Sequence, residues 1–144
     1  MAQFPHQYSI RSTAQTEGPV ILERAGLPNL ESMPPAEFGG PGNLWSPEDL
    51  LVGAVGDCFI LSFRAIAAAS KFAWKSLRCD VSGKLDRVER KVCFTEFQVT
   101  AHLVIPEDTD ADRGKHLLEK AEQTCFITNS LSAKVHLVVD IQKG

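Results

Sequence analysis

Residues 46–63, "SPEDLLVGAVGDCFILSF", decide the fold because they predict a long apolar helix near the middle of the chain. Ser46 suits the N-cap position and Pro47 the first helical position, and the two acidic residues that follow favour the positive end of the helix dipole. From Leu50 onward almost every face of the helix is apolar, which is typical of a helix buried at the centre of a domain. We expect this helix to continue to about Phe72.

The segment before this helix predicts two strands and a long loop. Residues 7–26, "QYSIRSTAQTEGPVILERAG", predict a β-hairpin whose turn lies at Glu17 and Gly18. Residues 26–43 contain four prolines and four glycines, which predict an extended loop. A loop of this length often borders a functional site.

The segment after the helix predicts three strands and a second helix. Residues 76–87 and 93–105 alternate apolar and polar side chains, as long antiparallel strands with one buried face do. Residues 107–124 predict a helix, and residues 133–141 predict a final strand. The order ββ-α-ββ-α-β is typical of an α+β domain whose antiparallel sheets pack around the central helix. We expect one domain over residues 1–144.

Charge and hydropathy exclude several classes of protein. The net charge of −3 and the pI near 5.8 disfavour a nucleic-acid-binding surface, which would be basic. The longest apolar run, Leu50 to Ile60, is interrupted by Asp57 and is shorter than the roughly 18 residues of a membrane span. The first ten residues lack the basic and apolar regions of a secretion signal. We therefore expect a cytoplasmic protein that binds neither nucleic acid nor membrane and keeps its thiols reduced.

The four cysteines divide into two kinds. They and the four histidines are too scattered for a metal site, and we expect no metal and no cofactor. Cys79 and Cys93 fall on the apolar faces of their strands, which predicts inert core residues. Cys58 and Cys125 stay open between a core role and a reactive role. Cys58 lies twelve residues beyond the N-cap, out of reach of the helix dipole, so a reactive Cys58 needs a cation from elsewhere.

Two segments resemble a known family. Residues 46–59, "SPEDLLVGAVGDCF", resemble the NPEqLfaaayaaCF signature of the OsmC/Ohr family of organic hydroperoxide reductases. The likeness includes the Pro-Glu pair, the ten-residue step to the cysteine and the aromatic residue after it. Residues 121–141, "AEQTCFITNSLSAKVHLVVDI", resemble the second motif of the family, A-x-x-x-C-P-x-S-x-x-L, with Phe126 in place of the proline.

The resemblance implies a fold, an activity and roles for individual residues. It implies an OsmC-like fold in an intertwined homodimer and a peroxidase that reduces organic hydroperoxides. Cys58 is the implied peroxidatic cysteine, which forms a sulfenic acid, and Cys125 the resolving cysteine, which forms a disulfide with it. Glu48 is the implied acidic partner of an activating arginine. The implied reductant is a dihydrolipoyl group or another dithiol.

The arginine departs from the family pattern. Residues 25–63 contain no arginine, and the nearest candidates for activating Cys58 are Arg11 and Arg24 on the first hairpin. Two alternatives to the enzyme therefore stay open. One is a non-catalytic OsmC-like protein that binds a small apolar ligand or a partner, and the other is a redox sensor that forms the disulfide with little turnover.

Helix geometry links Glu48 to the oligomeric state. The ten residues between Glu48 and Cys58 span about 15 Å along a straight helix, which the two side chains cannot close. A shared site then requires either a break near Gly53 and Gly56 or a glutamate from a second subunit. The central helix also offers more apolar surface than one small sheet can cover. We therefore expect a two-fold homodimer with composite sites.

Overall fold

The computed structural model describes residues 3–144. Contacts between backbone positions group the chain into two compact units, Met1–Leu50 and Leu51–Gly144. Each unit holds one three-stranded sheet, and the helix that begins in the first unit continues into the second. The chain thus has the two sheets and the central helix of the predicted α+β class.

The first unit is built on an antiparallel sheet. Its strands are β1 (Arg11–Thr13), β2 (Val20–Glu23) and β3 (Leu30–Ser32), in that order across the sheet. The predicted hairpin is confirmed, since Arg11 pairs with Glu23 across it. The prediction of an extended loop over residues 26–43 is wrong at β3, which lies within it. The sequence does not reveal β3 because a strand of three residues is too short to show an alternating pattern.

The central helix, α1 (Pro47–Ala69), is continuous over 23 residues. It begins at a reciprocal cap in which the Asp49 N–H donates to Ser46 Oγ at 3.0 Å and the Ser46 N–H donates to the Asp49 carboxylate at 3.1 Å. Lys71, with a φ of 52°, lies in the left-handed region and ends the helical path slightly before the predicted Phe72.

The apolar character of α1 is stronger than a count of uninterrupted apolar residues suggests. By length and composition alone, α1 could cross a membrane: an 18-residue window has a mean hydropathy of 1.8, and 22% of that window is buried. The prediction that no stretch approaches a membrane span is therefore wrong as stated, because a mean over 18 residues tolerates an interruption such as Asp57. The core helix of a soluble protein has the same composition. We interpret α1 in this way because Val55, Phe59 and Phe63 are almost fully buried in the second unit.

The second unit combines long strands with a helical crossover. Its sheet has the order β4 (Ser76–Val88), β5 (Lys91–Ile105) and β6 (Lys134–Lys143). Strand β4 is antiparallel to β5 as predicted, whereas β6 is parallel to β5, contrary to the prediction of purely antiparallel sheets. The reason is the connection between the two strands. Helices α2 (Ala111–Gln123) and α3 (Phe126–Asn129) return the chain to the end of the sheet at which β5 begins, so β6 runs in the same direction as β5.

A β-bulge places Cys93 on the opposite face of β5 from the one that the sequence predicts. The register of β4 and β5 shifts between Lys84 and Leu85, which exchanges the inward and outward faces of β5 at this point. Phe94 therefore turns inward and stacks on Phe97, with ring centroids 5.2 Å apart. Phe94 packs against the core and Cys93 does not, so the prediction of an inward Cys93 is wrong.

The core of the second unit lies between α1, the central strand β5 and α2. Its largest fully buried side chains are Phe59 and Phe63 from α1, Phe97, Leu103 and Ile105 from β5, and Leu118 from α2. Cys79 packs against this core from β4, as predicted.

Candidate active site

Cys58 and Cys125 meet in the second unit. Cys58 lies near the middle of α1 and is half-buried, whereas Cys125 is the residue before α3 and is 1% exposed. The two thiols lie close enough for each to shift the pKa of the other, and the Ser62 hydroxyl oxygen lies 4.0 Å from Cys58 Sγ. Both thiols are free. The structure therefore brings together the two cysteines that the sequence left open.

The break between α2 and α3 positions Cys125. Thr124 Oγ1 donates to the Lys120 carbonyl at 2.9 Å and closes α2. The Cys125 carbonyl then accepts from the Asn129 N–H at 3.0 Å and from Thr128 Oγ1 at 3.3 Å, which begins α3. Because the helix restarts directly after Cys125, the first backbone N–H groups of α3 have no partner within that helix.

These N–H groups lower the pKa of Cys58. Burial is the largest influence and raises the pKa of the Cys58 thiol. It is outweighed by hydrogen bonds from the Ile127 N–H, the Cys125 thiol, the Phe126 N–H and the Ser62 hydroxyl, so the pKa lies below the ordinary value. Hydrogen bonds to the charged form of an acid stabilise that form. Cys58 thus has donors that favour its thiolate, the nucleophilic form.

The pKa of Cys125 is shifted in the opposite direction. Burial raises the pKa of Cys125 most, and the neighbouring Cys58 raises it further, against the lowering effect of Thr128. When Cys58 is ionised, Cys125 therefore stays protonated and donates to it. Of the two thiols, Cys58 therefore ionises first.

A surface cleft opens beside Cys58. Its volume is about 450 Å³. Its lining is mostly apolar and consists of Ala54, Asp57, Cys58, Leu61, Ser62, Ala65, Phe126 and Ile127. Leu61 is 51% exposed and Phe126 72% exposed, so apolar side chains form its open rim. The cleft can take an apolar group next to the thiol.

Sequence reasoning missed the groups that lower the pKa of Cys58. It expected a cation, whereas the donors found in residues 3–144 are neutral: Ser62, the Cys125 thiol and two backbone N–H groups. The small polar residues after Cys125, "TNS", indicate a helix that breaks and restarts, and free N–H groups follow from such a restart.

Glu48 lies in the first unit, at a second cleft of about 310 Å³. Val20, Met33 and Phe38 are among the apolar side chains that line this cleft with it. Glu48 Oε1 is buried and has no hydrogen-bond partner in residues 3–144. Since α1 is continuous, the alternative of a helix break between Glu48 and Cys58 is wrong.

Arg11 and Arg24 line a different cleft of the first unit, of about 510 Å³, together with Glu23 and Asn29. This cleft and the Glu48 cleft have no lining residue in common. Within one chain, neither arginine is a partner of Glu48 Oε1. In residues 3–144, no group of three His, Cys, Asp or Glu side chains could hold a metal ion.

Comparison with known proteins identifies the family. A family model described as OsmC-like protein matches residues 40–140, more than half of the chain. An uncharacterized protein of Bacillus subtilis (strain 168), YmaD, is 24% identical over 109 residues, which are 74% of this chain and 73% of that protein.

Solved structures share the fold. An OsmC-like protein of unknown function from Vibrio cholerae O1 biovar eltor str. N16961 has a TM-score of 0.85 at 18% identity and covers 94% of this chain and 99% of its own. An organic hydroperoxide resistance protein, OsmC, from Legionella pneumophila has a TM-score of 0.74 at 21% identity. The match covers 96% of this chain and 99% of the Legionella chain. An organic hydroperoxide resistance protein from Elizabethkingia anophelis has a TM-score of 0.72 at 20% identity. The match covers 98% of this chain and 100% of the Elizabethkingia chain.

Proposed function

Because this chain belongs to the OsmC-like family, we propose that it is a thiol-dependent peroxidase that reduces organic hydroperoxides to alcohols. The observation that carries the proposal is the pairing of Cys58, whose pKa is lowered, with the buried thiol of Cys125 beside an apolar cleft. Two relatives of the same fold are organic hydroperoxide resistance proteins, which supports the substrate class.

The first step uses Cys58 alone. Its thiolate attacks the distal oxygen of the hydroperoxide, the O–O bond breaks, and the alkoxide leaves with the bonding electron pair and takes a proton from water. The products are the alcohol and a Cys58 sulfenic acid. The apolar cleft beside Cys58 accommodates the alkyl or aryl group of the substrate.

The second step uses both cysteines. The sulfur of Cys125 attacks the sulfur of the sulfenic acid, and hydroxide leaves and becomes water with the proton that Cys125 gives up. A dithiol of the dihydrolipoyl type, or another thiol, then reduces the Cys58–Cys125 disulfide. In balance, one hydroperoxide and one dithiol give one alcohol, one water and one oxidised dithiol.

We assign Glu48 and an arginine to the proposed site through a homodimer. Only 22% of the most apolar window of α1 is buried within one chain, and a two-fold partner would cover the remainder. The buried Glu48 Oε1 lacks a donor in residues 3–144, and a guanidinium such as that of Arg11 or Arg24 of a second copy would supply one. A cytoplasmic location would keep the thiols reduced.

Thiol titration tests this proposal against the alternatives. One equivalent of cumene hydroperoxide should remove two titratable thiols per chain from an enzyme or a sensor and none from a binding protein. Continued peroxide consumption with dihydrolipoamide then distinguishes the enzyme from the sensor.

Variants show which thiols are consumed. We expect the Cys58→Ser variant to consume no peroxide. The Cys125→Ser variant should react once and stall as a sulfenic or overoxidised species, while Cys93→Ser serves as the matched control and should retain full turnover. A Cys58→Ser protein that reduces peroxide at the normal rate would rule out the mechanism.

A further inference from the structure

The cleft beside Cys58 contains one residue of fixed charge. Of its eight lining residues, only Asp57 is charged at neutral pH independently of the thiol. Asp57 is exposed, and no ion pair involves it in the part of the chain that the structure describes. When Cys58 is a thiolate, the residues that one chain contributes to the cleft carry two negative charges and no positive charge.

Helix geometry explains why Asp57 lies on the cleft. Ala54, Cys58, Leu61 and Ala65 follow one another at spacings of three and four residues, so they form one stripe along α1. Asp57 is 100° around the helix from Cys58, and it borders this stripe because it lies three residues after Ala54 and four before Leu61. Its carboxylate therefore faces whatever enters beside the thiol.

We propose that Asp57 makes the cleft selective for uncharged molecules, so that neutral hydroperoxides react at Cys58 and hydroperoxides that carry a carboxylate are disfavoured. The identification of these molecules as hydroperoxides rests on the proposed function. An anionic reagent is repelled by Asp57 and loses hydration against the apolar lining, whereas a neutral reagent bears neither cost. Two charges about 6 Å apart near a solvated surface give roughly a threefold to tenfold discrimination.

Alkylation of Cys58 measures this selectivity without peroxide. Iodoacetamide is neutral and iodoacetate is anionic. The same Cys58 thiolate attacks the CH2 carbon of either reagent and displaces iodide, so the ratio of the two rates is independent of the pKa of Cys58. Mass spectrometry of the Cys58 peptide gives the two rates at low ionic strength. We expect Asp57→Asn to lower the iodoacetamide-to-iodoacetate ratio about threefold to tenfold. Asp108→Asn removes the same charge at a position outside the cleft and should leave the ratio unchanged.

Peroxide turnover extends the test to substrates. Cumene hydroperoxide and its para-carboxylate derivative should differ in kcat/KM, and Asp57→Asn should reduce that difference by a similar factor. If Asp57→Asn leaves the alkylation ratio as in the wild type, the proposal is overturned. If the ratio changes but neither peroxide is consumed, the selectivity of the cleft stands and the peroxidase function fails. If both peroxides are consumed with a ratio that Asp57→Asn does not alter, the peroxidase function stands and Asp57 has no part in it.

Discussion

At the scale of single residues, the two cysteines are made different by their surroundings. Cys58 accepts hydrogen bonds from two backbone N–H groups and two side chains, which lower its pKa against the effect of burial. Cys125 is more deeply buried, and its pKa is raised by that burial and by Cys58. The surroundings thus shift the pKa values of two identical side chains in opposite directions, as the proposed roles of nucleophile and resolving thiol require.

The pH dependence of alkylation tests this difference. We expect the rate of Cys58 alkylation by iodoacetamide to rise with pH at a midpoint below that of a cysteine in a short unstructured peptide, because thiolate forms earlier in the protein. Ser62→Ala removes one donor and should move the midpoint upward. Ser70→Ala, which removes a hydroxyl from outside the cleft, should not move it. A wild-type midpoint at or above the peptide value would contradict the assigned donors.

At the scale of secondary-structure elements, the sequence predicted what depends on periodicity and capping. The start of α1 at Pro47, the hairpin of β1 and β2, and the restart of the chain after Cys125 follow from local patterns that side-chain chemistry dictates. These patterns, together with the family resemblance, singled out Cys58 and Cys125 as candidates, and the structure places the two thiols side by side.

The features that the sequence missed depend on partners distant in the chain. Strand β6 is parallel to β5 because of where the α2–α3 crossover ends, which alternation within β6 does not reveal. The bulge opposite Lys84 and Leu85 exchanges the faces of β5, and a regular alternation counted from Phe97 therefore places Cys93 on the wrong face. The Ile127 N–H was missed because the sequence signals the helix restart but not that the free N–H groups of α3 lie beside Cys58 on α1.

The stability of β4 as a function of pH gives a prediction at this scale. Burial, and the charge of Asp80, raise the pKa of Cys79 to about 11. The folded state therefore favours the protonated thiol. The resulting stabilisation is complete below the pKa of a thiol in the unfolded chain and is lost as the pH rises toward 11. Urea unfolding at pH 8 and at pH 10.5 should show this loss in the wild type and a smaller loss in Cys79→Ala.

The same substitutions distinguish a core cysteine from a peripheral one. Cys79→Ala should lower the free energy of unfolding by about 1 kcal/mol at neutral pH because it removes a side chain that packs against the core. Cys93→Ala should lower the free energy of unfolding by less than this, since Cys93 does not pack against the core. Both variants should retain peroxide turnover. Equal destabilisation by the two substitutions would contradict the face exchange at the bulge.

At the scale of the whole molecule, the proposed dimer connects Glu48 with Cys58. The helix that carries both residues is continuous, so their separation along its axis is about 15 Å. The apolar surface that α1 leaves uncovered within one chain favours a second copy as its cover. We therefore expect each site to combine residues of two subunits.

Subunit mixing tests this arrangement. Glu48→Gln chains and Cys58→Ser chains should each be inactive alone, and a heterodimer of the two should regain activity because one of its two sites contains both native residues. Native mass spectrometry confirms the exchange of subunits. Activity that stays absent after confirmed exchange would place Glu48 and Cys58 of one site on the same chain.

The parallel crossover has a consequence for the order in which the chain folds. Strands β4 and β5 form a hairpin through a tight connection, whereas β5 and β6 pair residues as far apart as Glu96 and Lys134. Contacts between distant residues form slowly, so we expect the hairpin to precede the docking of β6 and of the α2–α3 segment that leads to it. The Phe126 and Ile127 N–H groups reach Cys58 only with that segment. A folding intermediate that lacks the crossover therefore carries an ordinary cysteine at position 58, and its nucleophilic character arises only when the native topology is complete.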